Sequence, residues 1–365
     1  MKSAINMELL KISLNPIAEL MDDQDVTDIL VCGSKRVSVK RRGGKFEDFS
    51  AEWRSDADLM VLAESIAREM NRDLDEREPI LDARLPDKSR VSIIRDPCYN
   101  RGALIVIRRF PEQRFTLNDL LNFGALDQSG LTILEIIMRY GRNVLIAGGT
   151  GSGKTTLLNS LCGFIPPHEV VVTVEDAREI SVPCKLWQAL ESKRAEDKND
   201  RDINLGELVR ASLRINPTWI IVGEVRDEEA IELVRAFNTG HHGAGTIHAN
   251  SAYDALEALE ILSLPSRLPH LAIKGLVSRT IHIVVHMGVL PDQSRRIMEI
   301  IEVEGLDYDR SAENPPYKTR TLYEFEFDHY DADGKAHGRF VVKEPPTWVN
   351  KLKLIPNFQM PDFWK

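Results

Sequence analysis

An apolar run, Asn143-Val144-Leu145-Ile146-Ala147, leads directly into Gly148-Gly149-Thr150-Gly151-Ser152-Gly153-Lys154-Thr155, and Thr156 to Cys162 continues with helical character. A strand that ends in a glycine-rich loop and restarts as a helix commits this part of the chain to an α/β layer. The loop must lie at the carboxyl edge of a sheet, and the helix must return across its face. Closely spaced glycines let successive backbone N–H groups converge on one anion, and the helix N-terminus adds partial positive charge there. The spacing marks Gly148, Gly149, Thr150, Gly151, Ser152, Gly153, Lys154, Thr155 and Thr156 as candidate contacts to a nucleoside triphosphate. Lys154 would neutralise the β- and γ-phosphates, and the Thr155 hydroxyl would ligate Mg²⁺.

Phosphate binding alone is not hydrolysis, which also needs groups that order water and hold the metal. Glu175-Asp176 closes the apolar run Val170 to Val174, and Glu224 follows Trp219-Ile220-Ile221-Val222-Gly223. Ligands of open α/β sheets gather at the carboxyl ends of strands, so both acids are candidates to face the nucleotide if their strands neighbour the loop-bearing strand. Glu175 is the candidate for positioning or deprotonating the attacking water and Glu224 for the metal and its waters, with an exchange of the two roles left open. His248 ends a further strand, Ala244 to Ile247, where an imidazole would sense the γ-phosphate. His241 and His242 follow Gly240 at a helix C-terminus, where an imidazole meets free carbonyls. Arginines complete the set. Arg214 and Arg226 bracket the Glu224 strand, and Arg90, Arg108 and Arg109 lie in the first domain, from which a guanidinium would neutralise the transferred phosphoryl group.

The 365 residues divide by pattern into four parts. Residues 1–109 read as a small α+β domain, with strands at Thr27 to Cys32, Arg36 to Lys40, Arg90 to Ile94 and Ala103 to Arg108. A helix is expected from Asp56 to Met70, because Leu59, Leu62, Ile66 and Met70 recur near the helical period, and a loop containing Pro97 separates the last two strands. Residues 110–118 read as a linker, since Phe110-Pro111-Glu112-Gln113 cannot continue a ladder. Residues 119–290 alternate strands, ending with Ile281 to Val285, with helices, which implies a largely parallel sheet. Helix Arg226 to Asn238 turns Ala230, Leu233, Val234 and Phe237 to the core. Residues 291–365 change character. Thr319 to Phe327 and Arg339 to Val342 flank Asp331-Ala332-Asp333-Gly334 as a β-hairpin, with a Pro-rich irregular tail, and densely charged Glu191 to Asp202 reads as a solvated loop or helix end.

A net charge of −9 argues against a broad electrostatic footprint for duplex DNA. Cys32, Cys98, Cys162 and Cys184 are widely spaced without a C-x-x-C pair, so they signal free thiols in a reducing cytoplasm rather than disulfides or zinc. No run of 18 apolar residues occurs, and Met1 to Met7 lacks the apolar core of a signal peptide, so a soluble, unprocessed chain is expected, with any membrane contact peripheral or made through partner proteins.

Four segments stand in order: Gly148 to Thr155, Glu175-Asp176-Ala177-Arg178-Glu179, Leu213-Arg214-Ile215-Asn216-Pro217 to Gly223-Glu224-Val225-Arg226, and Thr239-Gly240-His241 to His248-Ala249-Asn250. Together they resemble the Walker A, Asp, Walker B and His boxes of the type II/type IV secretion and pilus ATPase superfamily, most closely its conjugative-transfer, TrbB-type branch. The resemblance implies a PAS-like N-terminal domain, a RecA-like ATPase domain and a homo-hexamer that clamps ATP and Mg²⁺ between domains. It further implies catalytic roles for Glu175, Glu224, Arg226 and His248, nucleotide contacts from Arg108 and Arg109, and metal contacts from Thr155 and Glu224. Docking to inner-membrane components of a secretion machine follows from the same likeness. The His box is one residue shorter than in TrbB-like members and nearer the pilus-retraction spacing, which keeps a pilus extension or retraction motor as the alternative. A nucleic-acid translocase on the same core is a third reading, disfavoured by the acidic balance. Neither an ABC signature nor a guanine-reading Asn-Lys-x-Asp motif is present, and the four-cysteine zinc module of type II secretion ATPases is missing.

Overall fold

The structure, a computed structural model, describes residues 14–41, 44–70, 72–85, 87–96, 98–109, 115–193, 200–227, 229–310, 313–353 and 358–365. Residues 1–7, Pro97, the linker segment 110–113 and residues 194–199 of the charged stretch lie outside the described residues. Contacts divide the chain into units of residues 1–113 and 114–365.

In the first unit, β1 (Val26–Cys32), β2 (Val37–Arg41), β3 (Phe46–Phe49), β4 (Ile80–Arg84), β5 (Arg90–Arg95) and β6 (Ala103–Arg108) form one antiparallel sheet in the order β3-β2-β1-β6-β5-β4. Alternate residues of β6, namely Ala103, Ile105 and Ile107, are buried against helix Asp56–Glu69, which presents Leu59, Leu62 and Ile66. Ser55 starts that helix by accepting a hydrogen bond from the Asp58 N–H at 3.2 Å. The expected α+β class is found. Strands β3 and β4 were not expected; β3 is mostly exposed and β4 half so, and neither carries a clean apolar alternation.

The second unit is built on a nine-stranded sheet. Its strands are β7 (Val144–Gly148), β8 (Val170–Glu175), β9 (Leu186–Glu191), β10 (Trp219–Val225), β11 (His242–Ile247), β12 (Ile283–Val289), β13 (Arg295–Leu306), β14 (Tyr317–Tyr330) and β15 (Ala336–Val342), in the order β15-β14-β13-β12-β7-β11-β10-β8-β9. From β12 to β9 every pairing is parallel, whereas β13, β14 and β15 add antiparallel ladders beyond β12. The parallel strands are apolar on both faces because helices cover both. Val144, Ile146, Val171, Ile221 and Val285 join one core with helices Gln128–Arg139 and Lys154–Leu161. Leu145, Ala147, Val172, Ile220 and Val284 join the other with helices Leu205–Ser212, Glu229–Asn238, Ala252–Ser263 and His270–Thr280.

The residues after Pro291 thus continue this sheet. β14 and β15 form the expected hairpin, but the twelve-residue β13 was missed because Arg295 to Leu306 interleaves charges with Ile297, Ile300 and Ile301. The tail is less irregular than its prolines imply. It contains the short helix Val349–Leu352, and Trp348 and Leu352 are buried in the first of the two cores.

Candidate functional site

Glycines at positive φ shape the loop after β7. Gly148 has φ +154° and passes the Met287 carbonyl so closely that a Cβ there would collide with it, while Gly153, at φ +96°, turns the chain into helix Lys154–Leu161. Lys154 is buried beneath the loop, and its Nζ donates to the carbonyls of Gly148 at 2.9 Å and Gly149 at 3.0 Å. The third N–H points at His248 Nδ1, 3.3 Å away. A lysine ammonium only donates, so Nδ1 is the acceptor and the ring proton sits on Nε2, which faces Glu224 Oε1 at 2.7 Å. Burial pulls the Lys154 pKa below the usual lysine range, with the Glu224 charge opposing it.

Glu224 is held from its other side by the Arg226 guanidinium, which bonds Oε2 and lies 3.9 Å from Asp176 Oδ2. The bond to Glu224 raises the Arg226 pKa above its ordinary value. Glu229 fixes the turn after β10, since its Oε1 accepts from the backbone N–H groups of Arg226 and Asp227. Lys154, His248, Glu224, Arg226 and Asp176 therefore form one continuous chain of polar contacts. It links all four sequence boxes.

Neither acid-bearing strand borders the loop-bearing one: β11 separates β7 from β10, and β8 lies beyond β10. Glu224 nevertheless reaches the loop through His248. Glu175, at the end of β8, is buried, and its Oε1 accepts from the N–H groups of Glu179 at 2.8 Å and Ile180 at 2.9 Å. Its Oε2 is also buried and meets no hydrogen-bond donor among the described residues. Desolvation pushes the carboxyl up to about 7, and Glu179 and Glu191 add to the shift, against the two backbone bonds. Gly223 on β10 makes room for it, since a Cβ there would come within 3.0 Å of Glu175 Cγ.

Thr155 offers a hydroxyl that bonds no described residue, and the Ser152 hydroxyl is buried without a partner. A buried donor left over inside a loop of this shape suits an anion's oxygens. Oxygen ligands from Thr155 and Glu224 suit a hard divalent cation. Among the described residues no group of three or more His, Cys, Asp or Glu is placed to hold a metal ion by itself. A metal here would need the nucleotide's own oxygens.

The remaining candidates are elsewhere. In the first unit Arg108 is largely exposed and paired with Asp28 at 3.1 Å, whereas Arg109 is mostly buried and paired with Asp87 at 3.0 Å. Arg214 is exposed, and Arg90 pairs in register with Arg84 and Arg108. His241 meets the Ala236 carbonyl at the end of helix Glu229–Asn238, the place expected for it, while His242 packs on Trp219. One contact to the loop was missed entirely: Arg295, the first residue of β13, bonds the Gly151 carbonyl. The only sequence signal for it was the turn Pro291-Asp292-Gln293-Ser294 between apolar runs.

The model of the family described as type II/IV secretion system protein matches residues 11–298. The chain belongs to that family. It is 33% identical over 313 residues to the type IV secretion system protein PtlH homolog of Bordetella bronchiseptica, covering 78% of this chain and 92% of that protein. An uncharacterised protein of Methanocaldococcus jannaschii is 30% identical over 319 residues, 87% of this chain, but the chain spans only 55% of that relative's length. Two solved structures share the fold. The Legionella pneumophila ATPase DotB has a TM-score of 0.57 at 19% identity, covering 78% of this chain and 79% of that one, and the pilus retraction motor PilT with bound ADP has 0.56 at 22% identity, covering 78% of each. The mixed α/β, two-unit architecture expected of a secretion ATPase is that of this family. No helix among the described residues is long and apolar enough to cross a membrane.

Proposed function

We propose that this chain hydrolyses ATP and uses the cycle to drive a type IV secretion or conjugation machine. The observation that carries this reading is the pairing of two unlike acids on adjoining strands. Glu175 is buried with one unpartnered oxygen and a carboxyl near neutrality, and Glu224 is tied through His248 to the lysine of the phosphate loop. A base that titrates near the working pH is suited to take a proton from water in the transition state, so Glu175 is assigned that role. Lys154 would leave the Gly148 and Gly149 carbonyls for the β- and γ-phosphates, and the loop N–H groups and Ser152 would hold the remaining oxygens. Thr155 and Glu224 would hold Mg²⁺, which supplies charge neutralisation on the phosphoryl oxygens when bound. Release of His248 by Lys154 would report phosphate arrival to Glu224 and Arg226, so occupancy of one loop is felt at three strand ends.

The family likeness supports the further assignments: a cytoplasmic homo-hexamer docked on inner-membrane components, with residues 119–290 carrying ATP and Arg108 and Arg109 reaching a nucleotide after domain movement. No zinc and no direct nucleic-acid contact are assigned. The test is Mg²⁺-dependent phosphate release by purified protein and by K154A, with complementation of a null strain for substrate transfer. Equal release by both proteins sinks the enzymatic reading, and rescue of pilus retraction instead of transfer moves the chain to the motor branch.

A further inference from the structure

The hairpin that joins β12 to β13 turns at Leu290–Ser294 beside the phosphate loop, since Met287 lies opposite Gly148 and Arg295 opposite Val289. From there the Arg295 side chain reaches the loop. Its Nε donates to the Gly151 carbonyl at 2.8 Å, and its Cδ would sit 3.6 Å from a Cβ on Gly153. Its two terminal amino groups bond no described residue. The base of the arm is firm. Leu290 N–H donates to Ser294 O at 2.9 Å, and Asp292 accepts from the Ser294 N–H at 2.9 Å, the Ser294 hydroxyl at 2.6 Å and the Ala336 N–H at 2.8 Å.

A guanidinium with two uncommitted amino groups, fixed on a braced hairpin and bonded to a loop shaped for polyphosphate, has the chemistry of a phosphate ligand. We propose that Arg295 is a further nucleotide-binding residue of this chain. It keeps Nε on Gly151 and turns its free amino groups to the phosphate oxygens of a nucleoside di- or triphosphate. It approaches from the β12 side of β7, whereas His248 and Glu224 approach from the β11 side. The phosphates would then lie between two cationic arms, Lys154 and Arg295. The proposal rests on the phosphate-loop reading and adds to it a residue outside the four boxes.

The experiment measures binding of ATP, ADP and adenosine to the full chain by calorimetry, in wild type, R295Q, R295K, R295A and K154A. The glutamine amide retains a donor for Gly151 but no charge, so it separates loop shaping from phosphate binding. Expected is about 10-fold weaker ADP and ATP binding in R295Q, adenosine unchanged within about 2-fold, and partial recovery in R295K. The salt dependence of ADP binding would become shallower in R295Q, with a melting midpoint within about 2 °C of wild type. If R295A proves unstable, R295Q and R295K decide the matter. Wild-type ADP affinity in R295Q, or an equal loss for ADP and adenosine, would overturn the proposal. Equal ADP affinity in wild type and K154A would overturn the phosphate-loop reading itself, and Arg295 with it.

Discussion

Glu175 and Glu224 end strands that lie side by side in one sheet, yet their surroundings are opposite. Glu175 is buried, bound by two N–H groups of its own loop, and left with a bare second oxygen. Glu224 is partly exposed, and each of its oxygens faces a donor side chain, His248 on one and Arg226 on the other. A carboxyl in the first setting resists ionisation, whereas the second sits in direct contact with two side-chain donors. Pairs of acids whose environments diverge in this way separate base from electrostatic anchor.

The sharpest way to break that contrast is E175Q. Turnover is expected to fall about 1,000-fold while ATP affinity moves less than about 3-fold, as checked by phosphate release and equilibrium binding. A large loss of affinity with turnover per bound ATP preserved would remove Glu175 from the proton-transfer role. E224Q should cost about 100-fold in kcat/KM and shift the Mg²⁺ titration to higher concentration, a shift that E175Q should not show.

The third test is pH. The folded-state pKa of Glu175, about 7, lies above its ordinary 4.5, so the folded protein holds that proton more tightly than the unfolded chain does. The resulting stabilisation, about 3 kcal/mol, is complete below pH 4.5 and is lost as pH rises through 7. Glu179 and Glu191 face the same carboxyl, and their charges favour its protonated form. Denaturant unfolding between pH 4 and 9 should show this slope in wild type and a flatter one in E175Q, whereas E224Q should retain it. The smallest effect is expected for H248A, about 10-fold in turnover with ATP affinity within about 2-fold, since Lys154 lets go of the imidazole when it turns to the phosphates.

Much of this site was legible because its parts are local. The phosphate loop, the acids and His248 each follow an apolar run, and a run of β-branched residues ending in a charged one marks a buried strand and its functional tip. What connects them was not legible. That β11 stands between β7 and β10 depends on strand order, which no spacing encodes, and the unlike surroundings of Glu175 and Glu224 depend on contacts between strands, such as Gly223 against Glu175. Arg295 was invisible for the same reason: its partner Gly151 lies 144 residues away. Strand β13 hid its register behind buried or half-buried charges such as Glu302, which is buried because the Thr347 N–H and hydroxyl bond it.

The three antiparallel strands after β12 have a consequence for biosynthesis. Until they emerge from the ribosome, β12 is an open, apolar border with a full row of unpaired peptide groups, a template on which another nascent chain can add. A protein shortened at Pro291 would keep all four sequence boxes and still be expected to precipitate, with its insolubility arising from an unsealed sheet rather than from a change within those boxes.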